Sequence, residues 1–163
     1  MGSRQDRGRS GPLTRGDVEA LFDRGYTVSA HRALSQRWGV APEDPEALFA
    51  ALCDEAALVA HLERADARER ALLGALASQG GRARAENLRK ELLLKGQGDR
   101  SDALRALSRR GLVVLLPGSG QSEVDVEQLL EQQSFLQQEI AISEVMLTVL
   151  DARGITHRVD EVG

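Results

Sequence analysis

Glycine punctuation between Ala67 and Val126 constrains this chain more than any other feature. The stretch reads ARERALLGALASQGGRARAENLRKELLLKGQGDRSDALRALSRRGLVVLLPGSGQSEVDV. Leu72, Leu73 and Leu76 line one face of a helix over 66–78, and Gly80 and Gly81 end it. A second helix over 83–93 turns Leu88 and Leu92 inward, and residues 95–98 form a loop. A third helix over 101–110, capped by Asp99 or Ser101, turns Leu104 and Leu107 inward and Arg105 and Arg109 outward. Gly111 supplies the left-handed residue after the last turn. Residues 112–116 are nearly all apolar and read as a strand. The turn at 117–120 folds that strand back, as a hairpin, onto an alternating strand at 122–126. This order predicts a winged helix-turn-helix.

The flanks read as helix on both sides. Thr14 caps a helix over 15–24, with Asp17 three residues on as a capping-box acid, and Gly25 stops it. Ala30, Leu34 and Trp38 recur at helical spacing over 29–38. Trp38 reads either as core or as a stacking platform, and its spacing with Leu34 favours core. Asp44 caps the next helix with Pro45 at its first position, and another helix runs over 55–64. From about 127 to 151 the pattern is helical again, with six of eight heptad positions apolar. Ile140, Ile142 and Val145 are β-branched and would divide that run into two helices. Residues 155–162 read as a short strand or a frayed tail. The expected organisation is a disordered basic tail (1–12), a helical N-terminal region (13–65), a winged-helix domain (66–126), and a C-terminal helical segment with its tail (127–163). The fold class is therefore mainly α, a winged helix-turn-helix with additional N-terminal helices and a C-terminal helix.

Composition supports this reading and removes several function classes. Aromatics are 3% and Leu and Ala dominate the apolar set, which favours helix over sheet. No apolar run reaches membrane-spanning length. The opening residues MGSRQDRGRSG lack the apolar core of a secretory signal, and Asp6 breaks the myristoylation pattern. Cys53 stands alone among apolar neighbours, as a small buried hydrophobe in a reducing compartment. The expected location is cytoplasmic. His31, His61 and His157 stand at no metal-ligand spacing, and neither a phosphate loop nor a nucleophile elbow is present. The expectation is a non-enzyme with no metal and no cofactor.

Charge is segregated behind a net of −4. Residues 1–16 carry +3, residues 41–79 carry −5, residues 80–110 carry +5 and residues 121–163 carry −7. The basic centre comprises Arg82, Arg84, Arg89, Lys90, Lys95, Arg100, Arg105, Arg109 and Arg110. In a helix-turn-helix the second of the paired helices enters the major groove by its N-terminal end. Here that end holds Arg100, Ser101 and Asp102, with Arg105 one turn on, so Arg105 and Arg109 would position the backbone and Ser101 would lie near base edges. The turn at 118–120 carries no cation, which favours contact led by the helix over contact led by the wing. Three readings of the basic centre stay open: a solvated mixed-charge face, a nucleic-acid interface and a protein-facing patch. The acidic C-terminal segment either folds over the patch or belongs to another subunit. The N-terminal arginines read as a phosphate-binding arm or a solubilising tail.

Residues 44–120 resemble the helicase-associated winged-helix region found in bacterial relatives of XPB-type DNA helicases. The segments that carry the resemblance are DPEALFAALCDEAALVAHLERADARERALLGALASQGGRA and SDALRALSRRGLVVLLPGSG, roughly half the chain. The resemblance implies an accessory or regulatory piece of DNA transactions. It implies no catalytic residue, because no Walker sequence is present.

Two functions follow as expectations. The first is a DNA-associated protein that binds through the second and third helices of the winged unit. The second is a protein-interaction or assembly module. It would use the winged helix as scaffold and Leu129, Leu136, Ile140, Leu147 and Leu150 of the C-terminal helix for homodimerisation or docking.

Overall fold

The computed structural model describes residues 11–118 and 121–155. The expected disordered tail over 1–12 and the tail or strand over 155–162 lie almost wholly outside those residues, as does the tip of the expected wing. The described chain is mainly helical, with one small sheet.

Local capping chemistry sets most helix starts. In α1 (Arg15–Ala20) the Thr14 hydroxyl accepts the Asp17 N–H at 3.1 Å, and the Asp17 carboxylate accepts the Thr14 N–H at 2.8 Å. A π-type turn, Leu21–Gly25, continues it. Then come α2 (Val28–Arg37), α3 (Pro45–Leu52) and α4 (Glu55–Glu63). Asp44 caps α3, accepting the Ala47 N–H at 3.0 Å, with Pro45 at the first helical position. A second capping box, Asp66 with Glu69, starts α5 (Ala67–Ser78).

After α5 the chain departs from the expected second helix. Residues Arg82–Arg84 form a strand, β1, and α6 begins only at Ala85 and runs to Leu94. Helix α7 (Ser101–Arg110) ends as expected on Gly111, whose φ of 82° is left-handed. Strand β2 (Val114–Leu116) follows. The expected hairpin from β2 onto 122–126 does not form. Val124 instead bridges Tyr26 in parallel, and the segment continues into a short helix, α8 (Val126–Leu130), and a 3₁₀ turn (Gln133–Gln137). The strand that pairs with β2 is β3 (Glu139–Ala141), and α9 (Glu144–Ala152) closes the described chain.

The expected C-terminal heptad seam is thereby corrected. Residues 127–151 are two short helical pieces, a strand and a third helix. Ile140, one of the heptad matches, lies in the short apolar run Ile140-Ala141-Ile142, which is buried and begins in strand β3. Apolar runs of that length do not distinguish helix from strand by periodicity. Their β-branched residues were the better signal.

Strand β3 is central, in the order β1-β3-β2, and both pairings are antiparallel. Ile140 pairs with Ala83 on one side and Leu115 on the other. Because strand side chains alternate between faces, the sheet divides the core in two. Leu115 and Ile140 join the larger cluster, with Leu72, Leu76, Leu88, Leu104, Phe135 and Leu150. Val114, Leu116 and Ala141 join the second, with Leu13, Val18, Leu21, Leu48 and Leu52 from the N-terminal helices. The sheet is thus covered on both faces, which explains why β2 has no exposed residue. Tyr26 closes the free edge of β2 by donating its buried hydroxyl to the Leu115 carbonyl. Ser143 ties α9 to α3, donating to the Leu52 carbonyl at 2.7 Å.

Candidate functional site

The basic centre does not assemble into one outward-facing surface. Arg82 is buried, since β1 lies against the N-terminal segment. Its Nε donates to the Gly11 carbonyl at 2.8 Å, and its guanidinium pairs with Asp17 of α1. Arg105 was expected to face outward, and its side chain is instead about three-quarters buried, at 24% exposure. Its Nε donates to the Leu130 carbonyl at 2.7 Å, which caps the C-terminus of α8, and its guanidinium lies 5.2 Å from the centroid of the Phe135 ring. Arg109 is more exposed and pairs with Glu127 at 3.3 Å. Arg110 donates to the carboxylate of Glu69 at 2.8 Å, and that carboxylate is nearly fully buried.

Ser101 is also engaged by its neighbours. The Asp99 carboxylate accepts its backbone N–H at 3.0 Å and its hydroxyl at 2.7 Å. Those two bonds hold the Asp99 carboxyl below its ordinary range. The Arg100 Nε is buried and has no partner among the described residues.

On α6 the pattern differs. Arg89 pairs with Glu86 one turn back at 3.1 Å, Lys90 reaches the same carboxylate at 3.8 Å, and Lys95 meets Glu91 at 3.3 Å. Hydrogen bonding from Arg89 lowers the Glu86 carboxyl, and the same contact raises the Arg89 guanidinium. These are surface pairs of adjacent turns, open to screening by solvent and salt. Arg84 is exposed at the start of α6, and Lys90 keeps most of its side chain in water. At the other end of the helix Leu93 and Leu94 are exposed, Leu94 to 88%.

The five leucines and isoleucines expected to form a docking seam lie elsewhere. Leu129, Leu136, Ile140 and Leu150 are buried in the larger cluster, and half-buried Leu147 packs against it. They stabilise the chain itself, because β3 and α9 are internal layers and not a free helix.

The residues that sequence reasoning missed are the partners of the arginines. Glu127 receives both Arg109 and Arg37, the latter at 3.5 Å, and so links α8 to α7 and α2. Glu69 completes a capping box and binds Arg110. Phe135 is fully buried under Arg105. The available signal was the acidic block that follows the basic one, and it does fold over the patch through Glu127.

Trp38 acts as a packing residue. Its indole N–H donates to the Gly111 carbonyl at 3.2 Å, and its ring lies against His61 at 4.5 Å. Cys53 is half-buried, and burial raises its thiol. Among the described residues no group of His, Cys, Asp and Glu is placed to hold a metal ion, and no helix is long and apolar enough to cross a membrane.

Comparison with family models, with curated proteins and with solved structures finds no match to this chain.

Proposed function

We propose that the chain is a protein-interaction module carried on a winged-helix scaffold. The order α5, β1, α6, α7, β2, β3, with β3 between β1 and β2, supports the scaffold. In this reading the connection between β2 and β3 is a wing enlarged to hold α8 and the 3₁₀ turn.

One observation carries the functional half. The two arginines of α7 expected to position a DNA backbone are held by the chain's own residues 126–137. Arg105 is bound to the Leu130 carbonyl and Arg109 to Glu127. The face of α7 that carries Arg105 is thereby closed to a groove, and the first turn, which stays open, presents the exposed Asp102 carboxylate, which phosphates disfavour. The exposed leucines at the end of α6 are the contact a protein partner would cover.

A narrower nucleic-acid reading keeps Arg84 and Lys90, which stay in water on α6. A salt series with labelled duplex and single-stranded DNA separates the two. The interaction reading expects no binding that depends on α7. Duplex binding at low salt that weakens about tenfold or more in Arg105→Glu plus Arg109→Glu would overturn it. As a positive arm, a photocrosslinker replacing Leu94 should give a discrete protein adduct in cells, and one replacing exposed Glu19 on α1 should not.

A further inference from the structure

The C-terminal ends of three helices meet at a shallow depression lined by Arg37 of α2, His61 and Arg64 of α4, and Arg110 of α7. Among the described residues no carboxylate lines it. We propose that this depression is a binding site for a phosphate-class oxyanion. The proposal stands independently of whether the chain docks a protein.

The donors are supplied from separate elements and held in place by different anchors. Arg110 is fixed through one guanidinium nitrogen by the buried Glu69 carboxylate, while its Nη2 is left with no partner among the described residues. Arg64 is exposed, and among the described residues its side chain has no partner. Arg37 is tied only loosely, at 3.5 Å, to Glu127, a carboxylate it shares with Arg109. Fork-shaped guanidinium groups match the oxygens of a phosphate, and two or more converging on one point bind it far better than isolated charges do. Each cation also sits at a helix C-terminus, where it offsets a partial negative charge of roughly half an electron. That role calls for one cation per helix end. The α4 end presents two groups, His61 and Arg64, to the same depression.

His61 makes the site readable. Its ring lies against Trp38, the protein's single tryptophan, tilted by 48° at a centroid distance of 4.5 Å. The charged groups that face it are Arg64 on its own helix, Arg110 of α7 and Arg37 of α2, with Glu69 behind Arg110 and Glu127 behind Arg37. Burial first, and then the charges of Arg64 and Arg110, lower its pKa. A bound dianion opposes those charges and favours the imidazolium, so the ring should gain a proton more readily when the site is filled.

The test is a titration of the full chain with inorganic phosphate at constant ionic strength, read by Trp38 fluorescence and by the NMR titration of His61. The expected result is a saturable Trp38 response and an upward movement of the His61 midpoint by about 0.5. Sulfate, which stays doubly charged throughout, should bind more tightly as pH falls through the His61 midpoint. Arg64→Glu should weaken binding by about tenfold, and Arg64→Ala, which removes the charge without reversing it, by less. Both keep the fold, because the side chain is exposed. Arg15→Glu on α1 should leave binding unchanged. A phosphoserine peptide that binds at least about tenfold tighter than phosphate assigns the site to a protein-borne monoester, and equal affinity assigns it to free phosphate. No saturable response in the wild-type chain overturns the proposal, as does equal binding by both Arg64 variants. In either case the cations serve only their helix ends.

Discussion

Helices α6 and α7 carry the same sign of charge and meet opposite conditions in the fold. Arg105 and Arg109 of α7 are bound by residues 126–137, whereas Arg84 and Lys90 of α6 face open water. The difference lies in what the chain does next. After α6 comes a glycine-bearing loop that only reaches the start of α7. After α7 the chain must travel from β2 to β3, and on the way Leu129, Leu130 and Phe135 are buried in the larger cluster. A carbonyl or carboxylate that arrives with its own chain escapes the entropy of association, so it claims a guanidinium before a partner does. A basic run in a sequence is therefore a footprint only where the tertiary structure leaves it uncovered.

The comparison breaks first at Phe135. Phe135→Ala removes the fully buried ring that seats the cover on α7, and should cost about 3–5 kcal/mol in urea unfolding. It should also speed amide exchange in 126–137 before exchange rises in α6. If the variant is as stable as wild type, the cover is not a structural element. Gly111→Ala tests the geometry that ends α7. Its left-handed φ and a new Cβ 2.9 Å from Leu34 and from the Trp38 indole nitrogen predict a loss of about 2 kcal/mol or more. Arg105→Ala removes the bond to Leu130 and the ring contact, for about 1–2 kcal/mol. The matching substitutions on α6, Arg84→Ala and Lys90→Ala, should stay within about 0.5 kcal/mol. A cost on α6 as large as that of Arg105→Ala would erase the distinction between the helices.

A pH series sharpens the picture away from both helices. Buried His31 stacks on Phe22 at 4.4 Å, and its Nδ1 has no partner among the described residues. Burial lowers its pKa, with Glu43 opposing and Arg32 assisting. A histidine depressed in the folded state binds fewer protons folded than unfolded. Its contribution is therefore complete above the unfolded value near 6.5 and declines as pH falls below it. His31→Gln should flatten that part of the stability profile. An unchanged slope would assign it to other groups, such as His61.

Much of the helical framework was legible because its signals are local. Thr14 and Asp44 cap the helices that follow them, and Gly111 ends α7, since each acts on backbone groups within one turn. Strand β1 was not legible. Arg82–Arg84 has no apolar run of its own and is a strand only because β3 lies beside it. Nor was β3, of whose residues only Ile140 falls on a heptad position, in an apolar run too short for periodicity to tell helix from strand. The candidate site suffered for the same reason. Nothing near Arg105 in sequence announces the Leu130 carbonyl, and Arg82 and Asp17 are far apart along the chain.

What the sequence determined by itself is the local starts and stops at Thr14, Asp44 and Gly111, and that a basic block is followed by an acidic one. Capping and glycine geometry are settled within a few residues, so context has little power to change them. What only the tertiary structure decided is which cations stay free. Burial and pairing depend on the long return from β2 to β3, which places Glu127 and the Leu130 carbonyl over α7 while Arg84 and Lys90 of α6 stay exposed.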